Sequence, residues 1–160
     1  VNNDNLAEYA NKPFIHAVGG GWLCKTADIT NHNYAAITES VRKAIDILLG
    51  FEVAHMGINL GSPEESLKVC EQFAQAFNFP IKEGTSSNFA GPAIEVLKSN
   101  YLGAMGHIAI RTNSISRAIH YLTKRGFEVD MTTAKLKGSD MVAVYLKSEF
   151  GGFAVHLLQK

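Results

Sequence analysis

A chain of 160 residues is the length of one ordinary domain, or of a domain with part of another, and can bury a core without disulfides or a structural metal. Its 15 basic and 15 acidic side chains cancel, which removes the electrostatic footprint expected of a partner for nucleic acid or an anionic membrane. Two distant cysteines, Cys24 and Cys70, form no disulfide framework and fit a reducing, cytoplasmic setting, and no apolar run reaches the roughly 18 to 20 residues of a membrane span.

The opening Val1-Asn2-Asn3-Asp4-Asn5 is polar and acidic, unlike a secretory signal, and reads as the middle of a pattern, as in the C-terminal part of a longer polypeptide. Cap-type residues before Leu6 predict a short helical turn that ends by Pro13. Phe14 to Val18 has strand character and stops at Gly19-Gly20-Gly21. Tyr34, Ile37, Val41, Ile45 and Leu48 recur at helical spacing, with Gly50 as a left-handed stop. Strand, glycine turn and helix together make one barrel-like unit. A lone barrel strand leaves two unpaired edges, so residues 14–18 are expected to pair with a second copy of the chain or to lie under the helix, and a homo-oligomer is expected.

From residue 51 the rhythm changes. Strand character over residues 52–60 is followed at Ser62-Pro63-Glu64-Glu65 by a capping box with proline in the first turn, then by a helix buried through Leu67, Cys70, Phe73, Ala74 and Phe77. Shorter strand-like pieces follow, faint over residues 88–90 and clearer over 92–98. A second copy repeats the order: strand 105–112, a helix with Ile115, Ala118, Ile119 and Leu122 inward and Gly126 as its stop, then strands near 127–130, 135–137, 141–147 and 153–159. The expected fold class is therefore α+β, two βαβββ repeats over residues 51–100 and 101–160, preceded by a strand-helix fragment of a (β/α)8 barrel over residues 1–50.

Superposing the copies pairs His55 with His107 and Glu95 with His156. Forty positions separate His55 from Glu95 and forty-nine separate His107 from His156, so the second copy carries nine extra residues, expected in a hairpin around Lys137 to Ser148. Strand alternation opposes each of the four to branched apolar neighbours, Ile58, Ile94, Ile108 and Val155 among them, whose place is under the two helices. The four polar side chains are left on the opposite, concave side around one pseudo-two-fold axis. Three imidazoles and a carboxylate suit a divalent metal such as Zn, Ni, Mn or Fe and not calcium, which demands more oxygens. His16, His32 and His120 have no matching twin and read as structural or solvent-facing.

Duplicated βαβββ units carrying His55-Met56-Gly57-Ile58 and Gly106-His107-Ile108-Ala109-Ile110 resemble the vicinal oxygen chelate superfamily, which includes glyoxalase I and extradiol dioxygenases, over about residues 51–160. The resemblance implies metal ligands at His55, Glu95, His107 and His156, and a small keto-acid or sugar-acid bound over the ion, with Arg111, Asn59 and Tyr145 candidates to orient it. His156 stands where glyoxalase-type members carry a glutamate that moves the substrate proton, a departure that weighs against glyoxalase activity and leaves metal binding intact. Residues 1–50, with Ala17-Val18-Gly19-Gly20-Gly21-Trp22-Leu23 and the helix to Gly50, resemble the end of a 2-keto-3-deoxy-6-phosphogluconate / 4-hydroxy-2-oxoglutarate aldolase. That resemblance implies phosphate binding at the amides of Gly20 and Gly21. The family's Schiff-base lysine lies on earlier barrel strands, so this stretch alone performs no aldol cleavage.

Overall fold

The computed structural model describes residues 1–160. Eight strands form one curled sheet, with β1 (Glu52–Asn59), β2 (Ile81–Glu83), β3 (Ser87–Ala90) and β4 (Ile94–Leu97) in the first repeat. The second repeat supplies β5 (Gly106–Thr112), β6 (Val129–Lys137), β7 (Asp140–Phe150) and β8 (Phe153–Gln159). Their order across the sheet is β2-β3-β4-β1-β5-β8-β7-β6, so each repeat runs outward from a central seam where β1 pairs antiparallel with β5. On either side of the seam the first strand of a repeat pairs parallel with its last, β1 with β4 and β5 with β8. The α+β fold of two βαβββ units is the one expected.

Each repeat contributes one helix to the outer face. In α4 (Pro63–Phe77), the Ser62 hydroxyl accepts from the Glu65 amide at 3.2 Å and Pro63 opens the first turn. Cys70 of this helix is buried with Ala90 and Val96, and Ile58 and Ile94 pack around them. In α5 (Ile115–Thr123), Ser114 caps through the Arg117 amide, and Ile115 and Ala118 pack on Val144 and Leu157. The apolar alternation of the strands thus goes where expected, beneath the helices.

The nine extra residues lie in the β6–β7 hairpin, far longer than the three- and four-residue β2–β3 pair of the first copy. The two strand pieces expected over 127–130 and 135–137 are one strand, β6, with the register shifting between Asp130 and Lys135.

The first fifty residues correct the expectation most. Short α1 (Leu6–Ala10) and long α3 (Tyr34–Leu49) form as predicted, the latter stopped by left-handed Gly50, with a one-turn 3-10 helix at Gly21–Leu23 and short α2 (Thr26–Thr30) between them. No strand forms over residues 14–18. A barrel strand is held by ladders to two neighbours, and nothing here pairs with it. Phe14 stays 74% exposed, so the helix does not cover the segment either. Instead, Arg117 donates to the carbonyls of Ala10 at 2.8 Å and Ile15 at 3.3 Å and ties the stretch to α5.

The end of α3 belongs to the core of the second repeat. Leu49 is buried with Ile115, Ala118, Val144 and Leu157, and Ile45 packs against them. Side chains of the second repeat also take up carbonyls left free by the helix end: Thr112 donates to Leu49 at 2.7 Å and Asn113 to Ile47 at 3.0 Å. A cut at residue 50 would therefore open this core. Leu49→Ala is expected to destabilise the protein by about 2–5 kcal/mol through the cavity left among these residues; urea unfolding measures it, and a change below about 1 kcal/mol would contradict this packing.

Candidate metal centre

Register across the seam builds the site in two rows. In one, Phe89 stands opposite Glu95, Glu95 opposite Gly57, and Gly57 opposite His107. In the other, Tyr145 stands opposite His156, His156 opposite Ala109, and Ala109 opposite His55. The pseudo-two-fold therefore pairs Phe89 with Tyr145, Glu95 with His156, Gly57 with Ala109 and His107 with His55. Each row offers an aromatic ring, two donor groups and a small residue between them.

Glu95 meets His55 and His107, and His156 joins those two imidazoles. His55 Nε2 and His107 Nε2 each lie 3.1 Å from Glu95 Oε2 and 3.2 Å from one another. His55, His107 and His156 each present a ring nitrogen, all within 4.8 Å of one another. Metal–ligand bonds of about 2.1 Å set adjacent donor atoms about 3.0 Å apart around an octahedral ion and about 3.4 Å around a tetrahedral one. The observed triangle falls between these spacings. Each imidazole can donate from Nε2 to Oε2 or, without a proton there, offer its lone pair to a divalent cation seated in the triangle.

Two further observations fit an ion. Both ring nitrogens of His156 and Nδ1 of His107 are buried without a partner, although buried polar groups are ordinarily satisfied. Gly57, meanwhile, makes room for a ligand ring: a Cβ there would fall 2.0 Å from Cε1 of His107 and 2.5 Å from its Nε2. Only a residue without a side chain lets the His107 imidazole lie against the strand at that height.

Electrostatics prepare the donors for binding. Burial holds the His156 imidazole down at about 3, and the nearby charges of His107 and His55 add to the effect, so the ring is neutral, the form a ligand requires. Burial alone would raise the Glu95 carboxyl, but hydrogen bonds from His107, His55 and Ser87 outweigh it and hold the group well below the usual carboxylate range. The Ser87 hydroxyl donates to Oε1 at 2.5 Å, leaving Oε2 to face the imidazoles. Tyr145 stacks on His156 with ring centres 4.6 Å apart, and burial, with the charges of Tyr101 and Glu95, pushes its phenol up to about 12. Phe89 meets His55 edge-on at 5.8 Å from the other row.

The remaining candidates take other places. Asn59 is committed to the loop between the repeats: its side chain donates to the carbonyls of Tyr101 and Gly103 and accepts from the Tyr101 amide, which leaves no group for a ligand. Arg111 lies one row beyond the donors, half exposed and paired with Glu52 at 3.8 Å. Gly20 and Gly21 lie in the N-terminal segment, where the Trp22 ring packs so closely on Gly20 that a Cβ would fall 1.9 Å from it. Ser87 and Phe89 were not legible as site residues. Their strand was faint, and Phe89 precedes its row partner by six positions where Tyr145 precedes its own by eleven, so the twin rings do not align in sequence.

No protein-family model and no curated protein matches the chain. Among solved structures, a hypothetical protein of Bacillus halodurans C-125 superposes with a TM-score of 0.50 at 16% identity, over 69% of this chain and 94% of its own. A methylmalonyl-CoA epimerase from Mycobacterium tuberculosis matches with a TM-score of 0.47 at 12% identity, over 67% of this chain and 86% of its own. Homoprotocatechuate 2,3-dioxygenase from Arthrobacter globiformis matches at 0.45 and 13%, over 68% of this chain and 35% of its own. The likeness is one of fold, a curled sheet of paired βαβββ units.

Two measurements follow from this geometry. Gly57→Ala should leave the fold intact and weaken divalent-metal affinity at least about tenfold, as second-shell losses do, because the His107 ring must move; unchanged affinity by calorimetry would remove that role for Gly57. In chelator, the metal-free protein should lose stability as pH falls from about 6.5 toward 3, because unfolded His156 takes up a proton that the folded ring refuses. Glu95 adds a slope of the same sign, since its folded carboxyl stays charged below the point, near 4.5, at which the unfolded one protonates. His156→Phe should flatten the upper part of that curve, and a thermal-melt series with equal slopes in both proteins would contradict the assignment.

Proposed function

We propose that this chain holds a divalent ion at His55, Glu95, His107 and His156 and binds over it a small keto-acid or sugar-acid through neighbouring oxygens. The observation that supports the reading is the triangle of His55, His107 and Glu95 donor atoms with 3.1–3.2 Å edges, closed by a third imidazole that lacks any partner. A nitrogen-rich set of this kind favours zinc, nickel or iron over manganese. When bound, the ion would polarise a carbonyl oxygen or acidify a water. The chain's own residues do the rest. One carboxylate against a divalent ion leaves a net positive centre, which suits an anionic ligand. The phenol of Tyr145, kept protonated, and the Phe89 ring form facing walls that suit a flat ligand.

A second reading is a glyoxalase-type isomerase or lyase acting on a dicarbonyl or keto-acid. His156 weighs against it, because an imidazole so depressed in basicity takes a proton poorly at neutral pH. In the same proposal residues 1–50 are the closing segment of a 2-keto-3-deoxy-6-phosphogluconate / 4-hydroxy-2-oxoglutarate aldolase, supported by the run Gly19-Gly20-Gly21-Trp22-Leu23 and the helix ending at Gly50, with 51–160 as the following domain. Gly20 and Gly21 would hold the substrate phosphate in the complete barrel. Self-association belongs to the reading as well, supported by Ile81 in edge strand β2 and by Phe77, which is exposed and not buried in the stripe of α4 as its spacing suggested.

Stripped protein titrated with zinc, nickel or manganese should take up one equivalent, with uptake weakened at least about a hundredfold in His107→Ala, given that second-shell losses alone reach that range. Pyruvate added to the manganese form should displace metal-bound water and lower proton relaxivity. Absence of saturable uptake would remove the metal reading. Exchange of the pyruvate methyl protons in deuterated water, dependent on His156, would favour the isomerase instead.

A further inference from the structure

The two repeats differ at one buried position beside the centre. Ser87 stands opposite Leu97, two places before Phe89, and Ala143 stands opposite Leu158, two places before Tyr145, so the pseudo-two-fold pairs Ser87 with Ala143. Both are buried. Only the first copy therefore carries a hydroxyl at this position. Ser87 donates it to Glu95 Oε1 at 2.5 Å, while the twin donor, His156, has no partner on either ring nitrogen. A serine hydroxyl has one proton to give, and giving it to a carboxylate makes the bond short and strong. Oε1 is thereby taken up on one side of the group. Oε2 alone lies against the imidazoles, 3.1 Å from both His55 and His107.

We propose that Ser87 sets which ions the centre prefers, by holding Glu95 to a single donor oxygen; the inference rests on the metal reading above. An ion seated among His55, His107 and Glu95 could gain a second carboxylate oxygen only if the group turned about its Cγ–Cδ bond. That turn would break the Ser87 bond. Zinc is satisfied by four ligands and combines nitrogens with one oxygen readily. Manganese and calcium favour oxygen-rich sets of six or more ligands. A carboxylate tied down at one oxygen thus withholds the ligand these ions would gain, at little cost to zinc.

The test compares Ser87→Ala with the unaltered full chain, each stripped of metal and titrated with zinc and with manganese by calorimetry. Alanine already occupies the twin position of the same fold, so the variant should fold, and circular dichroism checks it. Without the hydroxyl, Glu95 can turn both oxygens to the ion, and the ratio of zinc to manganese affinity should fall at least about tenfold. Infrared difference spectra on manganese uptake should show the two carboxylate stretches drawing together, the mark of two-oxygen binding. Ser87→Thr, which keeps the hydroxyl, should keep the ratio of the unaltered chain. An unchanged ratio in Ser87→Ala, whether both ions bind as before or both weaken equally, would overturn the proposal. A threonine variant that shifts the ratio as far as alanine does would overturn it too. Failure of the unaltered chain to take up either ion would instead sink the metal reading, and this inference with it, so the two failures are told apart.

Discussion

The antiparallel seam between β1 and β5 is the constraint from which the rest of the site follows. Its register sets Gly57 opposite His107 and His55 opposite Ala109, so each imidazole leans over a residue with little or no side chain. A slip of one residue at the seam would put the donors of one repeat on the face opposite those of the other, since side chains alternate faces along a strand. What resists the slip is the apolar alternation: Ile58 and Ile94 are held under α4, and Ile110 and Leu157 under α5. Core packing and donor convergence are thus two faces of one register, and neither can be altered without the other.

Two-fold symmetry supplies the centre, and departures from it supply the chemistry. Glu95 and His156 occupy equivalent places, yet one is anchored by Ser87 and drawn to two imidazoles, while the other is buried with no partner at all. Gly57 and Ala109 are equivalent too. Only the glycine admits a ring pressed against the strand, which is why His107 sits deeper than His55. A symmetric pair of carboxylates would neutralise a divalent ion. With a neutral imidazole in place of one, an ion held here would keep part of its positive charge.

The repeat was legible because strands and helices impose periods of two and 3.6 on the positions of apolar residues, and because matching residue types at the two strand starts brought His55 and His107 into line. Their convergence followed from alternation alone. What the pattern could not carry was anything set by partners distant in sequence. The amide of Asn59 was a plausible ligand-orienting group until the inter-repeat loop is seen to occupy it. Residues 14–18 have strand composition, but composition is not a ladder, and without neighbours they form no strand. Phe89 and Ser87 escaped notice because the hairpins of the two copies differ in length, which shifts equivalent residues out of alignment.

The boundary at residue 50 shows how motif and packing can divide a chain differently. By motif, α3 ends one unit; by contact, its last turn completes another. Leu49 is 4% exposed inside the cluster of the second repeat, and its carbonyl is taken by Thr112, itself fully buried. Carbonyls at a helix C-terminus need donors, and Thr112, Asn113 and Arg117 donate to those of Leu49, Ile47 and Leu48 from a single stretch of the second repeat. Such a join leaves α3 little freedom to swing, because moving it would open an apolar core and break the buried Thr112–Leu49 hydrogen bond with it. The helix therefore acts as a rigid strut. Whatever α1 and the glycine turn carry is held at a fixed place relative to β5 and β8, and so to His107 and His156.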